Sequence, residues 1–340
     1  MEKLKSDFLK QYQSGQNIFA LLNDIFLKAS IINPINGINN LFFSILRSNT
    51  YPLELIKKMV ELGADPHYKN DSPFVVSCAY DIIDVPLYFI KEHNIDINVH
   101  NESIGFSCRN IDVLKMLLEN GLQITDSLIK NQINNTDQSL ELLYLHNVSL
   151  EKLMLCFLDL RVPNYNDDIV CFFIDKIEMN ESFIQSEILN NFLINTYQYL
   201  GLTLQQIKIL IRAGADPRYK NDAAFVISCM KKSDDLKTTI YFLHECGANI
   251  NANHSYALEC AINNDRYETA KFLIESGINV VDHAIKKSYS DKKYLELFIN
   301  NGIDADRIAK LYIITLADSI DFAKALIKNG VDLNQYILNH

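Results

Sequence analysis

Apolar residues recur along this chain in short runs with i, i+3, i+4 spacing, and run after run stops on glycine. The form is shared by "LIKKMVELGAD" (Leu55 to Asp65), "VLKMLLENGLQ" (Val113 to Gln123), "IKILIRAGAD" (Ile207 to Asp216) and "TIYFLHECGAN" (Thr239 to Asn249). It returns in "TAKFLIESGIN" (Thr269 to Asn279), "YLELFINNGID" (Tyr294 to Asp304) and "FAKALIKNGVD" (Phe322 to Asp332). Ile56, Met59 and Val60 mark such a stripe, which is one face of an amphipathic helix. The terminal Gly suits a helix C-cap in the left-handed region, where a side chain would be strained. Asn94 and Asn147 stand where Gly stands elsewhere, and Asn tolerates the same backbone region. Most neighbouring steps between these positions run from 25 to 33 residues. The step from Asn147 to Gly214 is twice that, with a worn copy, "IVCFFIDKIEM" (Ile169 to Met179), inside it. A period of this size predicts a solenoid of stacked repeats.

Between each Gly and the next amphipathic helix lies a second, shorter apolar helix. It reads "SPFVVSCA" (Ser72 to Ala79), "ESIGFSC" (Glu102 to Cys108), "AAFVISC" (Ala223 to Cys229) or "SYALECAI" (Ser255 to Ile262). Small residues close each phrase, as stacked helix pairs need where backbones approach. Cys behaves there as a small hydrophobe, so Cys78, Cys108, Cys229 and Cys260 read as packing residues.

One phrase appears twice. "GADPHYKNDSPFVVSC" (Gly63 to Cys78) and "GADPRYKNDAAFVISC" (Gly214 to Cys229) agree at twelve of sixteen positions, 151 residues apart. Each contains the end of one helix, a turn and the start of the next. Asp65-Pro66 and Asp216-Pro217 supply turn chemistry, and Asp71 and Asp222 are expected to cap the following helix. The offset continues at Leu53/Leu204, Ile56/Ile207 and Lys57/Lys208, which implies duplication of a block of repeats.

These features resemble the ankyrin-repeat family over roughly residues 37–340. "SPFVVSC" and "SYALECA" look like degraded versions of that family's T-P-L-H-x-A-A phrase, and the "GAD" endings match its second helix and following loop. The resemblance implies an all-α, ankyrin-type solenoid of stacked helix-turn-helix repeats. The T-P-L-H phrase is nowhere intact, and the connection from "GADP" to "SPF" is short, so the family's projecting hairpin should be shortened here. Loss of its Thr and His removes hydrogen bonds that tie neighbouring repeats, which predicts local fraying. Residues 1–36 are expected to form an N-terminal helical cap from "KSDFLKQYQ" and "IFALLNDIFLKASII". Residues 37–340 should form an array of about ten degenerate repeats, irregular over 150–200. There, "LDLRVPNYNDD" (Leu158 to Asp168) reads as a loop and "ESFIQSEILNNFLINTYQYLG" (Glu181 to Gly201) as helix. At the other end, "NGVDLNQYILNH" stops within a half-repeat.

Composition narrows the function. Apolar residues make up 48% of the 340, enough for a large core, and the net charge of −10 repels nucleic acid and anionic membrane. No stretch reads as a signal peptide or a membrane span, and seven cysteines without a C-x-x-C pair suit reduced thiols in a cytoplasmic setting. Abundant Asn, Ile, Lys and Tyr with no Trp resembles proteins of AT-rich genomes. The short degenerate repeats resemble ankyrin proteins of large amoeba-infecting DNA viruses, whose F-box-like ending is not evident in 310–340.

Chemistry is sparse. The eight histidines form neither H-x-x-x-H nor H-E-x-x-H, and no phosphate-binding glycine loop or G-x-S-x-G elbow occurs. Asp167-Asp168 and Asp234-Asp235 are read as solvated loop acids. The expectation is therefore a non-enzymatic, monomeric scaffold without cofactor or metal, binding a protein partner through one face of the repeats and their turns. His67, Tyr68, Arg218 and Tyr219, expected to be exposed at related turn positions, are the candidate protein-binding residues. A ubiquitin-ligase substrate adaptor, or an enzyme hidden in residues 1–50 or 150–200, are the alternatives.

Overall fold

The computed structural model describes residues 2–14, 18–33, 36–47, 51–80, 82–160, 167–179, 184–231, 236–288, 292–314 and 320–334. Among these the chain is all-α and contains no strand. It divides into two compact units, Met1–Leu160 and Arg161–His340, the boundary falling inside the stretch whose period is irregular. The loop expected over Leu158 to Asp168 and the last residues of the chain lie largely outside the described residues.

The first unit holds helices α1 (Glu2–Gln13), α2 (Ile18–Ile32), α3 (Gly37–Leu46), α4 (Leu53–Glu61), α5 (Tyr68–Ser77) and α6 (Asp84–His93). It continues with α7 (Asn101–Ser107), α8 (Ile111–Glu119), α9 (Asp126–Ile133), α10 (Asp137–Leu145) and α11 (Leu150–Leu158). From α3 onward the odd-numbered helices pack on one another in succession, α3 on α5, α5 on α7, α7 on α9 and α9 on α11. A second row alternates with it, in which α2 packs on α4, α4 on α6 and α8 on α10. The opening helices α1 and α2 pack on each other and on α3. Gly37 allows the approach of α3 to α2, since a Cβ there would lie 2.0 Å from the Ala29 carbonyl oxygen.

The second unit repeats the scheme with α12 (Asp167–Met179), α13 (Ser186–Tyr199), α14 (Leu204–Arg212), α15 (Tyr219–Met230), α16 (Leu236–Ile240) and α17 (Ala252–Asn263). It ends with α18 (Tyr267–Glu275), α19 (Asp282–Lys287), α20 (Lys292–Asn300), α21 (Ala305–Ile314) and α22 (Ile320–Lys328). One row runs α13, α15, α17, α19, α21, and the other runs α12, α14, then α16, α18, α20, α22. The worn copy at Ile169–Met179 lies in α12, whose first turn contains Asp167 and Asp168. Those two acids are therefore not loop residues as expected; they sit where the helix dipole favours negative charge. Asp234 and Asp235 lie outside the described residues.

The apolar stripes face inward. Leu55, Ile56 and Met59 of α4 are fully buried, as are Phe74, Phe225 and Leu258 in the short helices α5, α15 and α17. Cys78, Cys108, Cys229 and Cys260 are buried as packing residues, and Cys156 joins them. Each stripe ends as its spacing predicts. Gly63, at φ +101°, donates to the Val60 carbonyl while Ala64 donates to that of Met59, which is the Schellman arrangement. The same pair of bonds closes the helices that stop at Gly121, Asn147, Gly214, Gly277, Gly302 and Gly330. Asp265, at φ +56°, takes this role at the end of α17, where no Gly or Asn announced it. The helix after Leu236 differs: a π turn over Tyr241–Glu245 precedes Gly247. That insertion lies within the longest ordinary step, Gly214 to Gly247, and takes up extra chain there.

Ties of another kind join successive helix pairs. Two residues past the cap, the backbone N–H reaches a side chain one repeat earlier. Asp65 N–H donates to Asn39 Oδ1 at 2.8 Å, Gln123 to Asn98 at 2.8 Å, Asp216 to Asn190 at 2.5 Å and Asn279 to Asn251 at 2.8 Å. Asn249 N–H donates to Asp222 Oδ2 at 3.2 Å. Each bond contributes about 1 kcal/mol net, and its loss leaves a donor unpaired.

Candidate interaction surface

The duplicated phrase folds into an unusual turn. Lys69, Asn70 and Asp71 all adopt left-handed backbone, with φ of 50°, 55° and 57°, and Lys220, Asn221 and Asp222 repeat it at 52°, 57° and 61°. A third copy over Asn253, His254 and Ser255, leading into the related phrase "SYALECAI", matches none of the Lys-Asn-Asp letters of the other two turns position for position, and its backbone geometry identifies it. Three successive non-glycine residues in this region cost about 1–2 kcal/mol each, so tertiary contacts must hold the turn. This turn stands where a shortened hairpin was expected. It also changes the role of Asp71 and Asp222, which do not cap the following helix but end the left-handed turn and bond outward.

Asp71 is clasped by two histidines from successive repeats. His67 Nδ1 lies 2.7 Å from Oδ1, and the buried His100 presents Nε2 2.7 Å from Oδ2. Burial pushes the Asp71 carboxyl up, but hydrogen bonds from His100 and His67 and the attraction of both rings outweigh it, holding it below the ordinary carboxylate range. The ionised carboxylate only accepts, so each facing ring nitrogen donates. In the second copy Arg218 Nε lies 3.4 Å from Asp222 Oδ1, and the next repeat supplies the Asn249 N–H instead of a histidine. The third copy is neutral, with Ser255 Oγ donating to Asn251 Oδ1 at 3.1 Å.

Of the four candidate binding residues, His67 and Arg218 are exposed. Tyr68 is not: it is 8% exposed, and its hydroxyl donates to Asn40 Oδ1 at 2.7 Å. The left-handed turn folds its ring back against the preceding repeat, under Lys69. Tyr219 is half-buried beneath Lys220, whose Nζ donates to Asn191 at 3.0 Å. The structure thus leaves His67 and Arg218 at the surface together with the exposed Lys69 and Lys220, and sets each tyrosine as a prop beneath a lysine.

Sequence reasoning missed other exposed groups on the short-helix row. Phe106 of α7 is 72% exposed and Tyr256 of α17 is 45% exposed. Neither breaks a sequence pattern, because the stripe that would mark them belongs to a helix of two turns. His283 Nδ1 meets Glu259 Oε2 at 2.6 Å between α19 and α17. Among the described residues no three His, Cys, Asp or Glu side chains gather as a metal site. No described helix is long and apolar enough to cross a membrane. No protein-family model matches the chain, and no curated protein or solved structure matches it.

Proposed function

We propose that the chain is an ankyrin-type repeat scaffold that binds a protein partner through the short-helix row and the turns beside it, without catalysing a reaction. One observation carries this reading: helix pairs of nearly constant period are tied, 25 to 28 residues apart, by the same bond from the backbone after each cap to a side chain of the preceding pair. Such stacking buries each helix pair against its neighbours and leaves one side of the row free for a partner. Exposed Phe106 and Tyr256 on that row, and the ionisable His67 and Arg218 in the turns, suit protein recognition. The candidate reactive groups favour structure over chemistry. Burial pushes the Cys108 and Cys229 thiols up to about 12 and Cys260 up to about 11, away from thiolate reactivity. The resemblance of the short degenerate repeats to those of viral ankyrin proteins makes a host protein the partner to seek first.

The test is site-directed photo-crosslinking in cells. A photoreactive residue is placed at position 67, 106, 218 or 256, and for comparison at exposed positions on the other row, Glu54 and Glu275. Discrete protein adducts from the first group alone are the expected result. Equal labelling from both groups, or none from the first, overturns the reading.

A further inference from the structure

In the first unit, α7 and α9 border an open cleft of about 500 Å³. Its floor is set by Gly105, where an added Cβ would stand 2.9 Å from Asn131 Nδ2, so glycine preserves the cleft and the approach of the helices. Phe106 forms one side with most of its surface uncovered. Arg109 lies on the rim, exposed, and among the described residues its guanidinium makes no ion pair or hydrogen bond. The half-buried Asn131 amide likewise has no hydrogen-bond partner among the described residues. Its neighbour Asn135 is already committed, donating to the Cys108 carbonyl and to Gln132.

An unpaired guanidinium, an uncovered ring and an unpaired primary amide around one cleft form a complementary set. The guanidinium takes a carboxylate in a forked pair. The Asn131 amide carries both a donor and an acceptor, as a peptide group does, and can meet one edge-on. Phe106 offers a flat apolar surface for an aliphatic or aromatic side chain. In a chain of net charge −10, a cation left unpaired beside an open cleft favours an anionic visitor at that spot. A nucleic-acid strand would meet a single cation here, too few for a phosphate backbone. A second cleft, between α4 and α6, is lined by Lys57, Lys91, Glu61, Asp84 and Glu92 among others and has no such bias of charge.

We propose that the α7–α9 cleft is a docking site for an extended peptide segment with an acidic residue beside a large apolar one, the carboxylate on Arg109, the apolar side chain on Phe106 and the main chain on Asn131. The site rests on the scaffold reading and names the chemistry of the partner.

The test is selection of a random twelve-residue peptide library on the full-length chain, followed by fluorescence anisotropy with the most enriched peptide after synthesis. Enriched sequences should pair Asp or Glu with a neighbouring Leu, Ile, Phe or Tyr. Affinity should fall about tenfold or more for Arg109→Gln and for Phe106→Ala, and for the peptide with Asn or Gln in place of its acid. Lys57→Gln, in the other cleft, should leave affinity unchanged. Both substituted residues of the site are exposed, and unchanged circular dichroism and melting temperature will verify that the variants fold. Absence of enrichment, enrichment without acids, or binding indifferent to Arg109→Gln overturns the site. A labelled single-stranded RNA or adenine nucleotide that binds through Arg109 more tightly than the peptide also overturns it. If peptides bind elsewhere while crosslinks still form on the short-helix row, the site fails and the scaffold reading stands. If no crosslinks form, that reading fails by itself.

Discussion

At the scale of single residues, the repeat junction works through backbone conformation and one side-chain acceptor. Gly63 has φ +101°, outside the range an L side chain takes readily, and its added Cβ would meet nothing within 4 Å. Gly63→Ala should therefore destabilise by about 1 kcal/mol or more through backbone strain alone, without a steric clash. Lys69, also at positive φ but exposed, should respond in the opposite sense. Lys69→Gly is expected to raise stability by about 1 kcal/mol, both changes being read from the urea midpoint. Asn251 Oδ1 accepts from Asn279 N–H and from Ser255 Oγ, so Asn251→Ala strands two donors. A loss of about 1–3 kcal/mol in urea unfolding is expected. The Gly stops could be read from letters because few residues tolerate that backbone. Asp265 could not, because it adopts the same conformation only with its surroundings fixed.

At the scale of the element, the duplicated turn shows how identical letters acquire different partners. Asp71 is held by His67 and His100, whereas Asp222 is held by Arg218 and a backbone N–H. The folded Asp71 pKa is lowered, so its contribution is present above the unfolded value of about 3.9 and is lost as pH falls through the folded one. Asp71→Asn should lower the urea midpoint at pH 7. That gap from the parent should narrow from about pH 4 downward and close at more acid pH. A gap that persists unchanged into acid would show that the carboxylate charge is not what holds the turn. Tyr68 was expected outside and lies inside, and the reason belongs to this scale: its hydroxyl is held by Asn40 of the preceding helix pair and its ring is covered by Lys69 of the left-handed turn.

At the scale of the whole molecule, each unit is a double row in which a helix meets its own partner and its counterparts one repeat away. Damage should therefore stay local. Phe225→Ala removes a fully buried ring from α15 and is expected to cost about 3–5 kcal/mol. Amide hydrogen exchange should rise in α13, α15 and α17, which are in contact, more than in α21 of the same unit. Burial should also order the thiols. Cys171 is exposed and Cys246 half-buried, while the other five are buried. A thiol reagent should titrate Cys171 quickly and Cys246 more slowly in the native protein, and the remaining five only on unfolding.

The sequence alone determined the helical class, the period, the helix stops and the buried cysteines. Each follows from a local rule, such as the stripe that buries one helix face or the backbone that glycine tolerates. Tertiary structure decided the left-handed form of the turns, the inward tyrosines, the ladder of bonds from each cap to the preceding helix pair and the cleft beside Phe106. Those depend on which side chain one repeat places against the next, and spacing along a chain does not record the direction in which a side chain leaves a turn.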